Sequence, residues 1–202
     1  YMALLCWKNG SLTRQKIRDL HAGGSWDAFE AALSHTQPGN GGRIGFYFLE
    51  PEITPTMLKT GSFTFDPDGR PAEFTADQHV RAVVEGQFLS MRLHGRNIGL
   101  EPRRILATGG ASRNRAILQA MADTFGVEVS VSDAPNSAAL GAAFRALHGW
   151  ECAKARRFVP FTKALEKAPP VSIAARPDRS AFESLDALMA RYAELEKRVC
   201  GS

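Results

Sequence analysis

The stretch ILATGGASRN, residues 105–114, sets two adjacent glycines directly behind an apolar run and a carboxamide five residues past the first glycine. Glycine at a strand-to-helix turn lets the main chain approach a ligand that a Cβ would push away, and such ligands sit beyond the carboxyl end of the strand. The helix expected next offers unpaired N–H groups and the positive end of its dipole, which suits an anionic or hydrogen-bonding ligand. Asn114 is expected inside the first turn of that helix, where its amide both donates and accepts and so suits a ribose or a base edge. The same pair of glycines also builds an ordinary tight turn, so these residues by themselves leave both readings open.

Other chemistry is harder to find. Neither G-x-G-x-x-G nor G-x-x-x-x-G-K-[ST] occurs, which disfavours a Rossmann oxidoreductase and a P-loop enzyme. H-E-x-x-H and the G-x-S-x-G elbow are absent too, and the five histidines stand apart from one another. Cys6, Cys152 and Cys200 are odd in number and lack C-x-x-C spacing, which argues against a disulfide framework and a thiolate metal site and favours the cytoplasm. The net charge of +4 is spread along the chain. Its one basic cluster, Lys154, Arg156 and Arg157, has no interleaved aromatics and reads as solvated surface, so no nucleic-acid partner is indicated. No window approaches the ~18 consecutive apolar residues of a membrane span, and no membrane partner is expected.

The elements that must position the glycine turn follow from periodicity. The central run reads as strand RRILAT, glycine turn, helix to Phe125, Gly126 as helix stop, strand VEVSV, then helix NSAALGAAFRALHG. The first helix is expected to bury Ile117, Leu118, Met121 and Phe125, and the second Leu140, Ala143, Phe144 and Leu147, each against a sheet. An α/β sheet flanked by helices follows. Upstream, YMALLCW reads as a buried strand, LTRQKIRDL as a helix, and Ser25 as the N-cap of a helix carrying Trp26, Phe29 and Leu33. RIGFYFLE reads as a strand, residues 51–76 as irregular with short strands, and Val80, Val84, Phe88 and Met91 as one stripe of a long helix from Asp77. Residues 150–178 read as a poorly patterned connection. A closing helix over 179–199 carries Phe182, Leu185, Met189, Tyr192, Leu195 and Val199 on one side. With 202 residues and 44% hydrophobic content, one compact domain is expected. A sequence that opens inside an apparent strand also suggests a piece of a longer chain.

ILATGGASRN followed by NSAALGAAFRALHG resembles the adenosine-binding end of the FGGY family of carbohydrate kinases. CWKNGSL, GNGGRIGFYF with EITP behind it, RAVVEGQF and YAELEKRV occur in the family's order and span nearly the whole chain. His79 departs from the apolar residue usual before RAVVEG, and NSAALGAA lacks the acidic residue that many members carry at its start. Neither departure touches G-G-x-x-x-N.

The resemblance implies an actin-like ATPase (ribonuclease H-like) fold, a mixed sheet flanked by helices, as the C-terminal half of a two-domain sugar kinase. Residues 1–202 would be its nucleotide-binding domain, short of its N-terminal side, with helix 179–199 belonging to the same domain. ATP with Mg²⁺ would lie between the two domains. The sugar, D-xylulose or another sugar or polyol, would sit mainly on the missing N-terminal domain, which also carries the aspartate general base. Gly109, Gly110 and Ala111 would supply the close backbone surface and Asn114 the polar contact. Trp26 would pack its ring on the nucleotide or else anchor the core beside Phe29 and Leu33. A non-catalytic actin-like interaction module, or an independent α/β domain with another nucleotide or none, remains as an alternative.

Overall fold

The computed structural model describes residues 2–132, 134 and 136–201. In chain order the elements are α1 (Ser11–His21), α2 (Trp26–His35), β1 (Ile44–Phe48), β2 (Gly61–Phe65), α3 (Ala76–Asn97), β3 (Ile105–Ala107), α4 (Arg115–Phe125), β4 (Val129–Ser132), α5 (Ser137–Ala155), α6 (Phe161–Ala164), β5 (Val171–Ala175) and α7 (Arg179–Cys200).

Helix α3 organises them. A capping box starts it: Gln78 N donates to Thr75 Oγ1 at 3.3 Å and the Gln78 side chain accepts from Thr75 N at 3.0 Å, satisfying two of the first-turn donors. Val80, Val84 and Phe88 face a core shared with Ile17 of α1, Phe29 and Leu33 of α2, and Ile117 of α4. The opposite side of α3 gives Leu89 to a second core with β1, β2 and α7, formed by Phe46, Phe48, Phe65, Met189, Tyr192 and Leu195. Both apolar stripes read from the sequence are therefore present, and α7 folds back on this second core, where Tyr192 Oη donates to Gly86 O at 2.9 Å.

The strands form two sheets. β1 and β2 are an antiparallel pair; β3, β4 and β5 form a mixed sheet, parallel between β3 and β4 and antiparallel between β4 and β5. Leu118 and Ala122 of α4 cover one face of the mixed sheet over Val129 and Ala175. Gly126 ends α4 in the left-handed region at φ +69°, and a Cβ there would stand 2.7 Å from the Phe182 ring. Glycine is thus required twice, by backbone conformation and by the approach of α7.

Three expectations are corrected. YMALLCW forms no strand over its described residues: Met2 and Leu4 are largely exposed, and only Trp7 is tied down, its Nε1 donating to Ser90 Oγ at 3.1 Å. Nothing in the described chain pairs with that run. The chain is instead clasped just after it, where Glu52 accepts from Lys8 N, Asn9 N and Ile53 N at 2.7–2.9 Å. Helix α5 forms but buries none of its residues; Leu140 and Phe144 are half-buried, Ala143 and Leu147 exposed, because no described sheet lies against that face. The segment 150–178 is more ordered than expected, since α5 continues to Ala155 and β5 pairs with β4.

One buried ion pair predicts a pH response. Glu85 lies fully enclosed, accepting from Arg81 Nη1 at 3.0 Å and Gly39 N at 3.0 Å. Burial nonetheless outweighs the Arg81 charge and pushes its carboxyl up to about 7. A carboxyl that holds its proton more tightly folded than unfolded stabilises the fold increasingly as pH falls from about 7 towards the ordinary value of about 4.5. Glu85→Gln is therefore expected to flatten the dependence of unfolding free energy on pH between about 8 and about 5. Urea titrations at several pH values measure this; equal slopes in both proteins would place the ionisation elsewhere.

Candidate nucleotide site

The glycine turn, α4, α1 and α2 enclose a cleft of about 520 Å³, with Arg14, Trp26, Glu30, Gly110, Asn114 and Ile117 on its walls. Four of the five candidate residues, Trp26, Gly110, Ala111 and Asn114, line it together. Gly109 does not. It makes the turn, at φ +85°, and its carbonyl accepts from Ser112 Oγ at 2.6 Å and Ser112 N at 3.2 Å.

Gly110 is unlike Gly126. Its backbone lies outside the positive-φ region, and a Cβ built on it meets nothing within 4 Å. Neither conformation nor internal packing of the described chain demands glycine there. Gly110 lines the cleft, and the space around its α-carbon is open.

Asn114 stands one position earlier than expected. It is the N-cap of α4 rather than a residue of its first turn, and Oδ1 accepts from Ile117 N at 2.9 Å. The cap fixes the carboxamide, which leaves Nδ2 as a donor with no protein partner among the described residues. The site thus offers a ligand the Nδ2 donor of Asn114, while Oδ1 has one lone pair committed to the cap.

Trp26 opens α2 behind its Ser25 cap, where Ala28 N donates to Ser25 Oγ at 3.2 Å. Phe29 and Leu33 anchor this helix in the core; Trp26 is 41% exposed, edge-on to Phe29 at 5.3 Å and beneath the Arg18 guanidinium at 4.7 Å. An indole braced on two sides with its remaining surface on a cleft is suited to stacking.

Arg14 escaped the sequence reading, and His79 entered it only as a departure from an apolar position. Arg14 is buried on the cleft wall, whereas an arginine in a polar helix reads as solvated and gives no periodic signal. His79 has a use its position did not suggest: it stacks on His21 at 4.2 Å and shares a hydrogen bond of 2.9 Å with Tyr47 Oη, and burial lowers the pKa of its imidazole. A polar residue there satisfies a tyrosine hydroxyl inside the first core.

The described residues contain no group of three or more His, Cys, Asp or Glu side chains fit to hold a metal ion. Among the described residues no helix is long and apolar enough to cross a membrane.

Comparison with known proteins gives the cleft a context. Residues 4–150 match the family model for the C-terminal domain of the FGGY family of carbohydrate kinases. A xylulose kinase from Rattus norvegicus is 46% identical over 203 residues, covering 98% of this chain and 37% of the relative. Xylulose kinase 2 from Arabidopsis thaliana is 45% identical over 180 residues, covering 82% and 32%. The chain therefore spans about a third of the length of these relatives. Among solved structures, the xylulose kinase from Rhodospirillum rubrum superposes with a TM-score of 0.75 at 22% identity, over 96% of this chain and 39% of that one. The ligand-bound xylulose kinase from Lactobacillus acidophilus gives 0.77 at 19%, over 97% and 39%. At these identities the structures establish the fold, that of the actin-like ATPase sugar kinases. Motifs, fold and family model agree: the chain belongs to the FGGY family of carbohydrate kinases, through its C-terminal domain.

Proposed function

We propose that these 202 residues form the nucleotide-binding domain of a cytoplasmic carbohydrate kinase that, as a longer protein, transfers the γ-phosphoryl group of ATP to D-xylulose. The observation that carries this reading is Gly110. It lines the cleft with open space around its α-carbon, among walls that include an indole, a small residue and an unpaired amide donor, groups suited to a flat, hydrogen-bonding adenosine. The substrate follows from relatives at 44–46% identity that carry the name xylulose kinase.

In this reading Trp26 packs on the base, Gly110 and Ala111 bring main chain to the nucleoside, and the Asn114 amide donates to it. Gly109 shapes the turn without touching the ligand. Phosphoryl transfer is mostly positioning and charge stabilisation, with Mg²⁺ neutralising phosphate oxygens. The metal's ligands, the sugar pocket and the aspartate base would all come from outside the described residues, on the other domain or on further phosphate-binding turns.

The separation of roles has a direct test. The longer protein is expected to turn over ATP in a D-xylulose-dependent way. The 202-residue chain, checked for a native near-ultraviolet circular-dichroism signal, is expected to show no turnover. Phosphorylation of D-xylulose by the short chain would overturn the division. A longer protein that binds ADP yet turns over no sugar would favour an interaction module of the same fold.

A further inference from the structure

Arg14 is held in the nucleotide cleft without a counter-charge. Its side chain is buried, and Nη1 donates to Gln87 Oε1. Gln87 is itself fixed, with Nε2 donating to Asn9 O at 2.8 Å and Gly10 O at 3.0 Å. Among the described residues no carboxylate comes within ion-pair distance of Arg14, although Asp27 and Glu30 line the same cleft. The other buried guanidiniums each have a carboxyl group at hydrogen-bond distance, Glu85 beside Arg81 and Asp186 beside Arg92.

A buried cation whose one hydrogen-bond partner is a neutral amide pays a desolvation cost that the fold leaves unmet. Burial lowers the Arg14 pKa from its usual value, in keeping with that cost. A guanidinium fixed on one edge still presents N–H donors on the others, in a fork that matches the oxygens of a phosphate. A neutral ribose hydroxyl would meet its hydrogen bonds but not its charge.

Resting on the assignment of this cleft to the nucleotide, we infer that Arg14 is a binding residue for the phosphate chain, holding a phosphate oxygen close to the nucleoside while Trp26, Gly110 and Asn114 hold the nucleoside itself. Gln87 is the positioning residue that aims it.

The inference separates the two halves of one ligand. Calorimetric titration of the full-length protein with adenosine and with ADP reads them independently. Arg14→Met is expected to weaken ADP at least about tenfold, about 1.4 kcal/mol, while adenosine affinity changes less than about twofold. Arg14→Lys, which keeps the charge without the fork, should recover part of the ADP loss. Because the methionine variant removes an uncompensated charge, its unfolding midpoint without nucleotide should be unchanged or raised. Parallel losses of ADP and adenosine, or a lowered midpoint, would assign Arg14 a structural role and overturn the inference. Gly110→Val distinguishes this failure from that of the site itself: ADP binding indifferent to both variants removes the nucleotide from the cleft. Binding lost with Gly110→Val but intact with Arg14→Met removes only the arginine.

Discussion

On the proposed assignment of the cleft to a nucleotide, replacing Gly110 by valine in the longer protein is expected to weaken ATP or ADP binding at least about tenfold, a loss of about 1.4 kcal/mol, and to leave sugar affinity unchanged. The reason is the contrast between two glycines. At Gly126 a side chain would collide with Phe182 and force a strained backbone, so substitution there reports folding. At Gly110 the backbone tolerates any residue and a Cβ meets nothing within 4 Å, so unfolding free energy should shift by no more than about 0.5 kcal/mol. The valine methyls would instead fill ligand space. Calorimetry with nucleotide and steady-state kinetics with varied sugar separate the outcomes. Equal losses for both ligands, or a lowered melting temperature, would show that the open space belongs to the protein's own packing.

The second large effect concerns α7. Deleting residues 179–202 is expected to abolish the cooperative thermal transition altogether. Leu185, Leu188, Met189, Tyr192, Leu195 and Val199 are all buried, and each such side chain is worth about 1.5–3 kcal/mol on burial. Removal of all six is comparable to the roughly 5–15 kcal/mol that holds a domain folded. Leu185→Ala is the graded version, expected to cost about 2–5 kcal/mol while the folded fraction keeps its nucleotide affinity, because α7 packs on β1, α3 and α4 and does not line the cleft. The stripe invites a coiled-coil reading, yet it is spent inside the chain. A stable monomer produced from a dimer by the deletion would reverse that assignment.

What could be read from the sequence was whatever depends on near neighbours. Ser25 as a cap, Gly126 as a helix stop and the stripe Val80–Val84–Phe88 are local, and each stands where the residues place it. What failed depends on something distant. YMALLCW has the composition of a strand, but a strand needs a partner and the described chain supplies none. Leu140, Phe144 and Leu147 recur at helical spacing and do form a helix, but spacing cannot say whether a sheet lies beneath it. β5 was missed because VSIAA is short and follows two prolines; it becomes a strand only by pairing with β4. At the candidate site, the glycines and the carboxamide were visible as residue types. The cap that fixes Asn114 in one orientation was visible only as geometry, and so was the isolation of Arg14, which is a fact about which carboxylates are absent from its surroundings.

The mixed sheet has one face under α4. On the other, Leu106, Ser130 and Ile173 fall in register across three strands, with Leu106 and Ile173 substantially exposed. The outer edge of β3 pairs with no described strand. Two exposed aliphatic side chains beside an open edge make a template on which a second β-strand can grow. For the 202 residues in isolation the expected outcome is colloidal, a self-association that rises with concentration and is read by light scattering.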